Sequence, residues 1–241
     1  MPTIPLHIDH LLRANGIELD DLKREQLGSF VSLLREWNQR INLVSRRDAD
    51  NIWEGHIAHS LSPLFVLEIP SGASILDLGS GGGLPGIPMA IVHGNLDMTL
   101  LDSIQKKTLA VQEIVGKLGL SSTRVVNGRA EVLGKTPELA GRFDAVIARA
   151  VAPLVDLVRW ALPFLRKRPC APTGLKARSR EEKSEFSFPY LLALKGGDLE
   201  REIRAAALRG KGATITELDL RFPGSASLNL TDKKLIVVEY Q

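Results

Sequence analysis

Cysteine is almost missing from this chain: Cys170 is the only one in 241 residues. A disulfide framework and a cysteine-rich zinc site are therefore both excluded. Long apolar runs are missing as well. The longest, at 61–69, falls far short of the roughly 20 residues that a membrane helix needs. No basic segment followed by an apolar stretch opens the chain, so no signal peptide and no membrane partner are expected. The histidines are too scattered to build a metal centre; His56 and His59 could touch one ion but have no further Cys/His cluster beside them. Nor is there an Asp/Asn-Pro-Pro-Tyr/Phe element of the kind that holds an exocyclic amine during methylation. Strong charge of one sign is absent too. Thirty-one basic residues against 28 acidic ones leave a net +3, which permits a nucleic-acid partner without demanding one.

What is present reads as a folded protein of a reducing compartment, the cytoplasm. Hydrophobic residues make up 44% and charged ones 24%, ordinary for a globular domain. Asp20 and Asp21 open a segment with apolar residues at Leu22, Leu27, Phe30, Val31, Leu34, Trp37 and Ile41. These spacings predict one face of a long helix with acids in its first turn, where the helix dipole favours them. A weaker helical pattern lies at 8–14, and another at 52–67, interrupted near Pro63. Residues 1–70 are thus expected to form a helical extension packed on the core.

From Ser74 the pattern alternates. Short apolar runs at 75–78, 97–101, 124–126, 143–148 and 191–194 predict strands, with helices at 86–93, 104–118, 154–165 and 199–208 between or after them. In the second of these helices Leu109, Ile114, Val115 and Leu118 are expected to face inward. Strands alternating with helices imply a mostly parallel sheet covered on both faces. The last two strands, at 213–220 and 234–239, follow each other without a helix and are expected to form an antiparallel pair. The segment 166–190 carries Arg166, Lys167, Arg168, Lys176, Arg178 and Arg180 with no acid before Glu181. It reads as a surface loop, either merely solvated or in contact with RNA phosphates.

The richest site is Asp77-Leu78-Gly79-Ser80-Gly81-Gly82-Gly83-Leu84-Pro85-Gly86. Four glycines in five positions let the backbone turn sharply and approach a ligand closely. Standing between a buried strand and a helix, the loop occupies the crevice where open α/β sheets bind nucleotides. Asp102, closing the next strand, can accept both hydroxyls of a ribose. Gly81, Gly83 and Gly86 match the G-x-G-x-x-G pattern of dinucleotide binders, so an NAD-linked oxidoreductase is one alternative. A non-catalytic RNA- or nucleotide-binding module is another. Asp77, two residues ahead of the first glycine, together with Pro85 and Pro88 at the helix entrance, favours S-adenosyl-L-methionine.

Several short elements occur in order along the chain. They are Trp37-Asn38 with Asn42-Leu43, His56-Ile57 with Ser60-Leu61, and 75–88 with its Gly-Leu-Pro-Gly-Ile-Pro ending. Leu100-Leu101-Asp102-Ser103 with Lys106-Lys107, Arg129-Ala130-Glu131, Ala148-Arg149-Ala150 and Leu194-Lys195-Gly196 follow. This succession resembles the ribosomal RNA small subunit methyltransferase G family, also called glucose-inhibited division protein B. The resemblance implies a Rossmann-like class I S-adenosylmethionine-dependent methyltransferase, with an antiparallel C-terminal strand pair and a catalytic domain over 71–241. It implies methylation at N7 of one guanine, position 527 of 16S ribosomal RNA, either naked or within the small ribosomal subunit; a monomer is expected.

Carried over residue by residue, the resemblance puts Gly79 and Leu84 at the amino-acid end of S-adenosyl-L-methionine, an end that Asp77 is also placed to engage, with Gly81 among the cofactor-binding residues. It places Asp102 on the ribose, Ala130 and Glu131 beside the adenine, and Arg149 at the mouth. Glu131 could equally be a surface acid, and Arg149 an ion-pair partner of Asp77 or Asp102. Arg149 and Lys195 are the candidates for positioning the acceptor, with an internal ion pair the alternative for Lys195. RNA contacts are expected from Lys195 and from the six basic residues of the 166–190 segment. No catalytic base is assigned, because N7 of guanine already carries a lone pair and needs alignment more than deprotonation. Two departures stand out. His59 occupies a position where the family usually has aspartate, and the 166–190 segment is longer than in its relatives.

Overall fold

The computed structural model describes residues 3–45, 51–167, 175–178, 185–186, 189–209, 212–228, 230 and 232–240; of Leu175, Lys176 and Glu185 only the backbone is described. Helices α1 (Leu6–Ala14) and α2 (Asp21–Arg40) come first. Asp20 caps α2 by accepting from the Lys23 N–H at 2.8 Å, which satisfies one donor of the open first turn. The third predicted helix is split, though not at its proline. Residues Ile52–Ala58 wind as a π-helix and α3 (His59–Val66) continues from it. Pro63 is tolerated inside α3 because the carbonyl it leaves unpaired, that of His59, accepts from Ser62 Oγ at 2.7 Å.

The chain then alternates through β1 (Leu67–Glu68), β2 (Ser74–Leu78), α4 (Gly86–His93), β3 (Asp97–Asp102), α5 (Gln105–Lys117) and β4 (Thr123–Asn127). Next come α6 (Ala130–Leu133), β5 (Ala145–Arg149) and α7 (Leu154–Ala161), the short strands β6 (Leu175–Ala177) and β7 (Glu185–Phe186), then β8 (Tyr190–Gly196), α8 (Glu200–Arg209), β9 (Ala213–Asp219) and β10 (Lys233–Tyr240). The main sheet runs β4-β3-β2-β5-β8-β10-β9. Its first five strands are parallel, and β10 lies antiparallel between β8 and β9. The order reverses between β2 and β5, so the crevice at their carboxyl ends is the switch point of the sheet.

Side chains alternate between two cores. Ile75, Ala145, Leu192, Leu235 and Val237 face α4, α5 and the N-terminal helices, while Leu76, Val146, Leu191, Ile236 and Val238 face α6, α7 and α8. The extension therefore shares a core with the sheet. One inward assignment fails: Leu109 is 61% exposed, because α5 turns the stripe Thr108, Val111 and Val115, with Ala110 and Ile114, towards the sheet.

The basic segment is not simply a loop. Its β6 pairs antiparallel with β1, Lys176 opposite Glu68, and with β7. The Arg178 N–H donates to Val66 O at 2.8 Å. Arg166 was expected on RNA; instead its guanidinium meets the buried carboxylate of Asp144 at 2.7 Å, and its N–H donates to Phe143 O at 2.9 Å. Lys167 is exposed. Arg168, Arg180 and Cys170 lie outside the described residues. Every described anchor of this segment stands ahead of β2 or β5, at the amino-terminal edge of the sheet.

Asp144 Oδ2 also accepts from the Ser74 N–H at 2.9 Å, so this carboxylate joins the starts of β2 and β5. Removing Arg166 would strand a buried charge. Arg166→Ala should lower the unfolding free energy by about 2–3 kcal/mol, measured by urea denaturation; an unchanged midpoint would return Arg166 to the surface.

Candidate functional site

At the carboxyl edge the strand ends enclose a cavity of about 550 Å³, within the range of small-molecule sites. The loop after β2 forms its floor. Gly79, Gly81 and Gly83 all have positive φ, at 76°, 55° and 84°. A Cβ on Gly79 would come within 2.6 Å of a Val151 methyl group. One on Gly81 would meet nothing nearer than 4.0 Å, since that residue faces the open cavity. The Gly79 and Ser80 N–H groups donate to Leu101 O at 2.7 and 3.0 Å, which lashes the loop to β3.

Asp102 closes β3 and is spent largely on the backbone. Its Oδ2 accepts from the Gly81 N–H at 2.9 Å and its Oδ1 from the Ile104 N–H at 2.8 Å. Each oxygen keeps a further lone pair, and the carboxylate lines the cavity. Gly79, Gly81, Leu84, Asp102, Ala130, Glu131 and Arg149 are all brought to the same cavity, as expected. A free backbone face at Gly81 and a rigid carboxylate beside it fit an adenosine-bearing ligand.

Asp77 is the exception. It shares strand parity with Ile75, so it points under α4 rather than into the cavity. Fully buried, its Oδ2 accepts from the Gly86 N–H at 2.8 Å, and it is absent from the cavity wall. Its role is to cap α4. Burial pushes its carboxyl up from 3.8 to about 7, against the pull of the Gly86 hydrogen bond and of Arg149.

Arg149 ends β5 and reaches the π-helix. Its Nη1 donates to His56 O at 3.2 Å, and its Nη2 lies 2.8 Å from His56 Nδ1. A guanidinium can only donate, so Nδ1 must accept and the imidazole proton sits on Nε2. His59, beside Arg149 and Lys233, is buried; burial first, then these cations, lowers its pKa from 6.5 to about 3. Ala150, next along the wall, has φ of 54°, a backbone conformation that non-glycine residues rarely hold and that recurs at functional sites.

Lys195 does not reach the cavity. Its ammonium is held by Ala152 O at 2.8 Å and Glu202 Oε1 at 2.5 Å, and Glu202 in turn accepts from the Leu154 N–H at 2.6 Å. The internal ion pair is the one observed, and it fixes the start of α7 on β8.

Several wall residues escaped the sequence reading: Leu43, Val44, Ser45, His56, Ile104 and Trp160. The first three come from the end of the helical extension. Asn38 Oδ1 accepts from the Leu43 and Val44 N–H groups at 2.8 and 2.9 Å and folds that strap over Gly82. The Trp37-Asn38 and Asn42-Leu43 pairs were the available signal. Trp160 gave none, being placed only by packing. Among the described residues no group of three or more His, Cys, Asp or Glu could hold a metal ion, and no helix is long and apolar enough to cross a membrane.

The family model described as GidB, rRNA small subunit methyltransferase G, matches residues 23–186. A ribosomal RNA small subunit methyltransferase G of Chlorobium luteolum is 38% identical over 226 residues, spanning 93% of this chain and 82% of that protein. Its namesake from Sorangium cellulosum is 41% identical over 183 residues, spanning 73% and 74%. Among solved structures, the fibrillarin pre-rRNA processing protein of Methanococcus jannaschii superposes with a TM-score of 0.51 at 13% identity, over 74% of this chain and 73% of that one. Aeropyrum pernix fibrillarin, crystallised with natively bound S-adenosyl-L-methionine, superposes at 0.50 and 18% identity, over 76% and 73%. These two likenesses concern the fold.

Two outcomes follow from the carboxylates. Asp102→Ala should weaken S-adenosylhomocysteine binding by about 1.5–3 kcal/mol, because it removes a carboxylate that lines the cavity and frees the Gly81 N–H; calorimetry on the folded variant checks it, and wild-type affinity would remove Asp102 from the site. Asp77 binds a proton in the folded state that the unfolded chain has lost between pH 3.8 and about 7. Its contribution is therefore full at low pH and is lost as pH rises towards 7. His59 acts oppositely, adding stability as pH rises from about 3 to 6.5. Asp77→Asn keeps an oxygen for Gly86 but cannot titrate. The variant's stability relative to wild type should rise between pH 4 and 7 by up to about 4 kcal/mol. A pH-independent difference in denaturation midpoints would refute the assignment.

Proposed function

This chain belongs to the rRNA small subunit methyltransferase G family and is an S-adenosylmethionine-dependent methyltransferase, and we propose that it methylates N7 of a guanine in 16S ribosomal RNA. The observation that carries the choice of acceptor atom is the wall facing the glycine loop, made of Val44, Ser45, His56, Arg149 and Ala150. Among the described residues this wall contains no carboxylate. Its one imidazole has Nδ1 committed to Arg149 and a proton on Nε2, so it has no lone pair with which to take a proton. Such a wall suits a nucleophile that is already unprotonated.

The residues present fit the cofactor, which when bound supplies an electrophilic sulfonium methyl group. Gly79, Gly81 and Leu84 receive its amino-acid end, Asp102 accepts from its ribose hydroxyls, and Ala130 with Glu131 borders its adenine. The strap 43–45, pinned by Asn38, covers the glycine loop and excludes water from the reacting face. Arg149, braced on the π-helix, fixes the acceptor wall against that loop. Catalysis on this reading comes from alignment in a closed site, with no proton transfer before methyl transfer.

The division into a helical extension, residues 1–70, and a catalytic domain, 71–241, belongs to the same reading. The extension is the second wall of the site and not an independent unit. So does a monomer acting in the cytoplasm on rRNA or on the small ribosomal subunit. Mapping N7-methylguanosine in 16S rRNA from cells with and without the gene tests the reading. The modification should disappear from one guanine without the gene and return when purified protein and S-adenosylmethionine are added. An unaltered methylation map would sink it.

A further inference from the structure

We propose that Lys106, Lys107 and Arg129 grip the phosphate backbone of the substrate RNA at the rim of the cavity, and that Arg166, Lys167 and Arg178 of the basic segment do not; this rests on the rRNA reading above. A base can react only if its strand passes over the cavity mouth, at the carboxyl edge of the sheet. The described anchors of the basic segment lie at the opposite edge, the length of a five-residue strand away, about 16 Å. Arg166 is consumed by Asp144 and Lys195 by Glu202. Cations that could meet the flanking phosphates must stand on the rim itself.

Three do. Lys107 and Arg129 line the cavity, and Lys106 stands exposed beside Lys107. They follow β3 and β4, the strands that deliver Asp102 and the Ala130–Glu131 wall. None has an ion-pair partner among the described residues, in contrast to Arg24–Asp9, Lys117–Glu113 and Arg204–Glu200.

Helix energetics supplies an independent reason to look for a ligand. The first turn of a helix favours acids, and α2 and α8 follow that preference with Asp21 and with Glu200 and Glu202. The first turn of α5 holds Lys106 and Lys107 and no acid. Both lysines thus stand where the helix itself disfavours them, next to the cavity, and an approaching polyanion would reverse that balance. Ile104, 41% exposed on the same rim, adds an apolar ledge against which an unstacked base can rest.

Filter binding to a 16S rRNA fragment containing the methylated guanine, between about 50 and 300 mM salt, tests this. The variant Lys106→Ala/Lys107→Ala/Arg129→Ala should lose about tenfold or more in affinity, and its log–log salt slope should flatten by about two to three units, at roughly 0.7–0.9 per contact. Lys167→Ala/Arg178→Ala, in the basic segment, should keep the wild-type slope. Lys106→Ala alone, outside the cavity wall, should flatten the slope by about one unit and leave S-adenosylhomocysteine affinity within about threefold, which covers any disturbance of the cofactor site in the triple variant. A wild-type slope in the rim variants, or a flattened one in the segment variant, would overturn the inference. Wild-type protein that binds S-adenosylhomocysteine but methylates no rRNA would instead overturn the substrate reading, and the two failures are read separately.

Discussion

The carboxylate of Asp102 is the fastening on which the site depends. One oxygen takes the Gly81 N–H from the loop after β2, the other takes the Ile104 N–H, and the main-chain oxygen takes the Gly128 N–H and Asn127 Nδ2 at 3.1 Å each. Three neighbouring strand ends are thereby tied at one residue. Glycines at positive φ are entropically costly and would otherwise sample many conformations. Here their N–H groups are captured before any ligand arrives. The same carboxylate retains acceptor capacity towards the cavity, so the group that would recognise a ribose is also the one that preorganises the loop.

A second fastening brings the helical extension into the site. Asn38 turns the end of α2 back over Gly82, and Arg149 reaches from β5 to the carbonyl and ring of His56. The π-helix makes the second contact possible, because its wider turn places His56 against the end of β5; single π turns are frequently found at such sites. The extension is therefore held by hydrogen bonds aimed at the sheet's carboxyl edge as well as by a shared apolar core. His59 shows how little room for charge remains behind this contact: between Arg149 and Lys233 it stays neutral.

Much of this was legible beforehand, and the misses have physical causes. The glycine loop, Asp102 and Arg149 announced themselves through residue type at strand ends, and the antiparallel last strands through the lack of an intervening helix. Asp77 was misplaced because its position before the glycines was given more weight than its parity. Period-two alternation with Ile75 puts it beneath α4. The course of 166–190 could not be read, since a two-residue strand such as β1 leaves no periodic signal and its pairing with β6 spans over a hundred residues. Trp160 and the strap at 43–45 became wall residues only through tertiary packing.

Basic residues illustrate the same lesson in energetic terms. Arg166 and Lys195 looked like RNA ligands by charge and place in the sequence. Both are held inside the fold because Asp144 and Glu202 are buried or half-buried and would be left uncompensated without them. Asp144 lies at the amino-terminal edge, where it joins strand starts through Ser74, and Glu202 caps α7. At the opposite edge Lys106, Lys107 and Arg129 have no ion-pair partner among the described residues, and the two lysines stand where the helix dipole makes them least comfortable. In an open α/β sheet the two edges face different demands: at one, charge must be neutralised for the strands to assemble, and at the other it must stay available. A cation's value for binding RNA is therefore set by whether the fold has already used it, and charge density along the sequence says nothing about that.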